Sequence, residues 1–171
     1  MAGAVQRLSA AEEEVTDALL ALSRVFVGTA ARSLARLDEE VTLPQFRTLV
    51  LLVSRGPQRI VDLAVELDVS SSTATRMCDR LVRKGLVARH VRADDRRAAW
   101  VALTPQGRDL VGEAMAVRRA AIADLVADLA ITRPLGFAAL VNALVEAAGE
   151  VPPAEWRRRW EASAVTTESG G

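Results

Sequence analysis

The sequence predicts a mainly α-helical chain carrying a small β wing, with helical arms on either side of a compact central head. Three observations predict it. Apolar residues recur at intervals of three and four through both ends of the chain. Helix-starting and helix-stopping residues cut the middle into three shorter helices. Two strand-like runs around an arginine-bearing polar segment follow the last of them. Half of the residues are hydrophobic, Tyr is absent, and Phe and Trp number three each, which favours aliphatic packing of helix on helix.

In chain order, Val15, Leu19, Leu22, Phe26, Ala30, Leu34 and Leu37 form one stripe of a long first helix, with Ser9 or a neighbour at its start and Glu12, Glu13 and Glu14 at its positive end. Thr42 and Gln45 have capping-box spacing, so a second helix starts there and runs through Phe46, Leu49, Val50 and Val53 to Gly56-Pro57. A short third helix spans about residues 61–67, with Leu63, Ala64 and Leu67 inward, and Asp68-Val69 makes the turn. Ser70 caps a fourth helix that runs to Lys84 and stops at Gly85. Its core face is Ala74, Met77, Cys78, Leu81 and Val82, and its exposed face is Ser71, Ser72, Thr75, Arg76, Asp79, Arg80 and Arg83. Residues 86–91 and 99–103 read as strands around a loop Arg92-Ala93-Asp94-Asp95-Arg96-Arg97.

After Pro105, Leu110, Ala114, Val117, Ala121, Leu125 and Leu129 fall on one helical face. Thr132, followed by Pro134, reads as the N-cap of a further helix carrying Leu135, Ala138, Leu140, Val141, Leu144 and Val145. Gly149 and Pro152-Pro153 end it. Trp156 and Trp160 lie four apart around three arginines, so a short tail helix sets both indoles on one face. That face covers the arm or, in competing readings, touches DNA or a membrane. Thr166 to Gly171 read as disordered. The chain divides into an N-terminal arm over 1–40, a head over 41–104, C-terminal helices over 105–150 and a partly disordered tail over 151–171.

A short helix, a tight turn, a helix rich in Ser, Thr and Arg, and a basic hairpin make the layout of a winged helix-turn-helix, a module that reads duplex DNA. The formal net charge is zero, but its distribution is not even. Between Ser70 and Thr104 stand Arg76, Arg80, Arg83, Lys84, Arg89, Arg92, Arg96 and Arg97 against Asp79, Asp94 and Asp95, while both arms carry an acidic excess. A basic middle between acidic ends points to one anion-binding surface, the alternative being chance clustering on a solvated face. The small hydroxyl residues Ser70, Ser71, Ser72 and Thr75 let the helix approach a major groove and bond to phosphates or base edges, and Arg76 has the reach for guanine O6 and N7. Arg80 and Arg83 continue that face. Arg97 is favoured for the minor groove and Arg96 for phosphate or an internal pair, an order that could be reversed; Arg89 and Arg92 sit at the wing base.

One Cys and one His exclude an intrachain disulfide and the usual Cys/His zinc site, and they leave no clear nucleophile–base pair, so an enzyme is disfavoured and no metal or cofactor is expected. No targeting segment or long apolar run is found, so a cytoplasmic protein without membrane partners is expected. Cys78 reads as a small buried hydrophobe and His90 as a packing or bonding residue at the wing base. The apolar stripes of the first and last helices need partners. They can interleave with a second chain as a homodimer or fold back on their own head, and a symmetric pair of heads spans two half-sites one helical turn apart.

Leu63-Ala64, Ser72-Thr73-Ala74-Thr75-Arg76, Asp79-Arg80-Leu81, Lys84-Gly85-Leu86-Val87, Asp95-Arg96-Arg97 and Leu103-Thr104-Pro105-Gln106-Gly107 together resemble the MarR family of bacterial winged-helix regulators. With the flanking helices, the resemblance covers about residues 10–148. It implies an obligate homodimer, six helices with a small wing sheet, and a pseudo-palindromic double-stranded DNA operator. It also implies repression released by a small anionic or phenolic effector or by thiol oxidation. Val61 stands where members usually carry a capping Ser or Thr, and the first helix lacks the Cys of oxidation-sensing members. For a small aromatic or anionic effector, Phe26, Phe46, Met77 and Trp100 are candidate lining residues of the arm–head crevice, and Arg24 and Arg47 candidate anion anchors. The competing functional reading is a winged-helix protein that works through protein contacts.

Overall fold

The computed structural model describes residues 8–37, 40–92, 95–129 and 131–168; within these, residues 91, 92, 95–98 and 164–168 are described by backbone path alone. The elements are α1 (Ala10–Leu34), α2 (Leu43–Arg55), β1 (Gln58–Arg59), α3 (Ile60–Glu66), α4 (Ser71–Arg83), β2 (Val87–Arg92), β3 (Asp95–Leu103), α5 (Pro105–Asp128), α6 (Pro134–Ala147) and α7 (Pro153–Glu168).

The starts and stops follow from local chemistry. Ser9 Oγ accepts from the Glu12 N–H at 3.3 Å, and the Glu12 carboxylate accepts from the Ser9 N–H at 2.7 Å, a reciprocal cap that holds Glu12 below its ordinary pKa. Gln45 Oε1 accepts from the Thr42 N–H at 3.0 Å at the head of α2. The α3 helix begins one residue earlier than expected, after Arg59, and has no side-chain cap. Arg59 instead grips both Asp62 carboxylate oxygens, at 2.7 and 2.9 Å, fixing the first turn and holding Asp62 below its ordinary pKa. The expected turn lies at Asp68-Val69. Asp68 takes a left-handed φ of 52°, and the Val69 N–H reaches back to the Ala64 carbonyl at 3.0 Å. Gly85, at φ 71°, closes α4 in the same way, with the Leu86 N–H on the Leu81 carbonyl at 3.0 Å.

The sheet runs β1-β3-β2, all antiparallel. β1 is not legible in the sequence, because two residues are too short to show alternation. It pairs Gln58 with Val101 and Arg59 with Trp100. The β2–β3 ladder extends from Val87↔Leu103 to Arg92↔Asp95, with an irregularity between His90 and Arg92. This corrects the expected six-residue loop: Arg92 and Asp95–Arg97 belong to strands, while Ala93 and Asp94 lie outside the described residues. Backbone pairing carries a polar sequence that has no apolar rhythm to announce it.

The core lies between α2, α3, α4, the sheet and the first turns of α5. Leu49, Leu63, Leu81, Leu86, Val101, Val111 and Ala114 are fully buried there. Truncating any of those leucines to Ala costs about 2–5 kcal/mol. Thr104 caps α5 through the Gly107 N–H at 3.0 Å and donates to the Gly85 carbonyl at 2.6 Å, which joins the end of α4, the wing and α5 at one point.

Two expectations about the C-terminal part are corrected. Arg133, not Thr132, is the N-cap residue of α6, because Pro134 occupies its first turn. Gly149 and Pro152-Pro153 do follow the end of α6, but the tail expected to be disordered from Thr166 stays helical, α7 continuing through Thr166, Thr167 and Glu168; residues 169–171 lie outside the described residues. This makes seven helices among the described residues, against the six the resemblance implies. Trp156 and Trp160 pack against the core cluster where α5 leaves the head, beside Leu110, Val111 and Ala114. By contrast, α6 buries none of its residues, and α1 leaves Val15, Leu19, Leu22 and Phe26 exposed.

Candidate nucleic-acid interface

The α4 helix separates its two faces as its sequence dictates. Ala74, Met77, Cys78 and Leu81 are buried and Val82 half-buried. Ser70, Ser71, Ser72, Thr75, Arg76, Arg80 and Arg83 are exposed along the opposite side. Ser70 is committed locally: its Oγ accepts from the Thr73 N–H at 3.2 Å and lies 3.1 Å from Ser72 Oγ and 2.9 Å from Thr73 Oγ1. Thr75 Oγ1 donates to the Ser71 carbonyl at 2.8 Å. Among the described residues Arg76 donates one hydrogen bond, to Thr73 Oγ1 at 3.4 Å, so its guanidinium is held loosely on the exposed face.

Sequence reasoning misses a contact that ties the wing base to this helix. Arg89 of β2 pairs with Asp79 of α4 at 2.7 Å, with both side chains partly exposed. In the sequence Asp79 reads only as part of a polar face; no spacing rule links positions on a helix and a strand. Arg92, Arg96 and Arg97 stand at the outer end of the β2–β3 ladder, where Arg92 pairs with Asp95. The Arg89–Asp79 pair therefore fixes the base of the wing against α4.

The six candidate effector residues differ in their surroundings. Phe46 is buried, Phe26, Arg24 and Arg47 are exposed, and Trp100 is half-exposed on β3 opposite His90 and Arg59. Met77 is buried beside Thr48, whose hydroxyl lies 3.6 Å from its sulfur. It also lines an open concavity of about 340 Å³ with Thr42, Pro44, Gln45, Thr73, Arg76 and Arg80. Arg118 of α5 is a residue that periodicity does not single out. Its guanidinium sits 5.4 Å from the Phe46 ring centre, and Nε and Nη2 are buried with no hydrogen-bond acceptor among the described residues. Burial pushes Arg118 below its ordinary pKa.

Among the described residues, no three His, Cys, Asp or Glu side chains converge as metal ligands, and no helix is long and apolar enough to cross a membrane. Cys78 is fully buried; burial first, then the Asp79 charge, pushes its thiol up from 9.0 to about 11, against a lowering by Arg89. The thiol therefore favours the folded state below pH 9, an advantage that fades as pH rises from 9 toward 11. Iodoacetamide at pH 7.5 is expected to leave Cys78 unmodified in the native protein and to alkylate it after denaturation. Rapid native alkylation, read by intact mass, would contradict this burial.

A capped helix with a polar, arginine-bearing face, a preceding short helix at a tight turn and an adjoining three-stranded wing define a winged helix-turn-helix DNA-binding transcriptional regulator. The MarR family model matches residues 41–99, and the chain belongs to that family. The HTH-type transcriptional repressor MdtR of Bacillus subtilis is 29% identical over 142 residues, which are 82% of this chain and 92% of that protein. The HTH-type transcriptional regulator YkoM of the same organism is 31% identical over 109 residues, 61% of this chain and 71% of its own. The crystal structure of RV1404 from Mycobacterium tuberculosis superposes with a TM-score of 0.77 at 40% identity, covering 85% of this chain and 99% of the other. Members of the family are DNA-binding regulators, not enzymes.

Proposed function

We propose that the chain acts as a homodimeric repressor on a pseudo-palindromic operator. The observation that carries the dimer is α6. Its sequence is apolar nearly all round, yet it buries nothing within its own chain: Leu135 is 86% and Leu140 70% exposed. A helix of that composition needs covering, and the exposed stripe of α1 offers a second surface of the same kind. A twofold pair of such arms presents two α4 helices to successive major grooves.

Within that dimer, Arg76 reads bases; Ser71, Ser72, Thr75, Arg80 and Arg83 hold the backbone; and Arg96 and Arg97 serve the wing together with Arg92, whose pairing with Asp95 sets it at the wing's outer end and not at its base, as the sequence predicts. Ser70 acts chiefly by capping α4, and Arg89 by holding the wing to Asp79, with phosphate contact secondary for both. Repression is the sign of regulation carried by the related MdtR. A small aromatic or anionic effector at the arm–head junction would meet Arg118 above Phe46. A protein acting on genomic DNA in this way works in the cytoplasm.

The test is a fluorescence-anisotropy titration against the gene's own upstream duplex and a scrambled duplex at two salt concentrations. Preferential binding that weakens steeply with salt is expected, because each neutralised phosphate releases counterions. Equal, weak binding to both duplexes, repeated on a genomic fragment library, would overturn the reading in favour of a protein-contact role. The dimer has its own test. Glu at positions 19 and 26 (Leu19→Glu, Phe26→Glu) keeps helix propensity and adds charge to a face already exposed in one chain. Sedimentation is expected to show a folded monomer; an unchanged dimer would remove α1 from the interface.

A further inference from the structure

The α7 helix is left unexplained by DNA reading or by dimer formation. The chain leaves the head along α5, turns into α6, which buries nothing, and then returns through α7 to the head. There α7 holds two helices at once. Arg159 donates to the Ser54 carbonyl in the last turn of α2, at 2.5 Å. Glu155 accepts from Arg159 at 2.8 Å and also from Arg158, which orients Arg159. On α5, Arg108 donates to Ser163 Oγ at 3.1 Å and to the Trp160 carbonyl at 3.2 Å, and its guanidinium lies 4.6 Å over the indole. The Trp160 ring fills the space beside Gly112, where a Cβ would come within 3.2 Å of it. These bonds join residues 52–55 positions apart on the α5 side and 105 apart on the α2 side, so they tie the far end of the arm to the start of the head.

We infer that α7 is a positioning strap that anchors the end of α6 to the reading head and thereby narrows the half-site spacing a dimer accepts. The inference rests on the homodimer reading. Without the strap, the described residues join the arm to the head through α5 and through the packing of α1 on α2 and α5, and a long helix such as α5 can curve along its length. With it, the arm is attached at a further place and the head resists rotation about α5. One inserted base pair moves a half-site by about 3.4 Å and turns it by roughly 35°, so a braced pair of heads rejects it and an unbraced pair follows it. Arg108, Arg159 and Trp160 are positioning residues in this scheme and touch no DNA.

The test uses the full chain and two variants. Gly112→Leu adds a side chain where Trp160 docks while favouring the α5 helix, and Trp160→Ala with Arg159→Ala removes the docking groups from the α7 side. Each protein is put through selection from random duplexes, with indole emission and thermal melting as controls for undocking and folding. Both variants are expected to show red-shifted emission and a folded head. They are expected to select the same half-site sequence as the unmodified chain while enriching spacings one base pair longer or shorter about tenfold more, as preorganisation is lost. Red-shifted variants that keep a single spacing would overturn the strap, as would loss of half-site preference in place of spacing. Emission unshifted in both would overturn the docking itself. Selection of isolated, unpaired half-sites by the unmodified chain would overturn the homodimer reading, and the strap with it.

Discussion

Gly107→Ala is expected to destabilise the protein by about 3 kcal/mol or more, beyond the usual range for a single added methyl. Gly107 lies in the first turn of α5, against the backbone where α4 gives way to β2. A Cβ there would stand 2.0 Å from the Leu86 carbonyl oxygen and 2.9 Å from its carbon. No rotamer relieves a clash made by backbone on both sides. Either α5 shifts or Leu86 moves, and Leu86 is fully buried. The same shift would strain the Thr104 hydroxyl, which binds the Gly107 N–H and the Gly85 carbonyl together. The expected drop in melting temperature is roughly 6–12 °C. Gly136 is the matched control, since it too sits two residues after a helix-starting proline, and within its chain an added Cβ meets nothing nearer than 3.8 Å. Gly136→Ala should stay within about 1 kcal/mol of the parent. Equal melting of the two variants would remove Gly107 from the junction.

The contrast between those glycines shows where reading a sequence succeeds and where it stops. Ser9, Thr42 and Ser70 announce α1, α2 and α4 because capping is a contract between residues two or three apart. The core face of α4 is legible for the same reason: Ala74, Met77, Cys78 and Leu81 repeat with the helix. In the sequence Gly107 is visible only as part of a motif, because its neighbour Leu86 is 21 residues away and is set by the β2–β3 hairpin. Arg89 with Asp79, Arg118 over Phe46 and Arg108 over Trp160 are hidden likewise, since each joins two elements whose relative placement no local rule fixes. Trp156 and Trp160 are legible as a pair on one face, but the surface they cover is chosen by the return of the chain from α6. The candidate effector residues differ in burial because aromatic or basic type alone does not say which face each presents. Phe46 and Phe26, both on amphipathic helices, stand at 2% and 43% exposure.

Arg76→Ala is expected to cost operator affinity far more than fold stability. Arg76 is exposed and its one hydrogen bond among the described residues, to Thr73 Oγ1, is 3.4 Å long, so the helix loses little when it goes. Alanine is moreover a good helix former. In the proposed complex each copy contributes a bidentate base contact worth about 1–3 kcal/mol, so a twofold dimer loses about 2–6 kcal/mol. Affinity for the operator should therefore fall by roughly 30-fold or more, while binding to a scrambled duplex falls only by the loss of one charge per protomer. Arg83→Ala, farther along the same face, supplies the comparison. Removing a phosphate anchor there weakens binding to both duplexes alike and lowers the salt slope by about one per phosphate released. Ser70→Ala separates stability from reading in the other direction: it removes the cap of α4, at about 1 kcal/mol of helix stability, and should weaken all DNA binding in proportion. Anisotropy titrations of the three variants on operator and scrambled duplex distinguish these outcomes. If Arg76→Ala loses equally on both, Arg76 holds phosphate and the base-reading residue must be sought among Ser71, Ser72 and Thr75, the exposed hydroxyls at the start of the same helix.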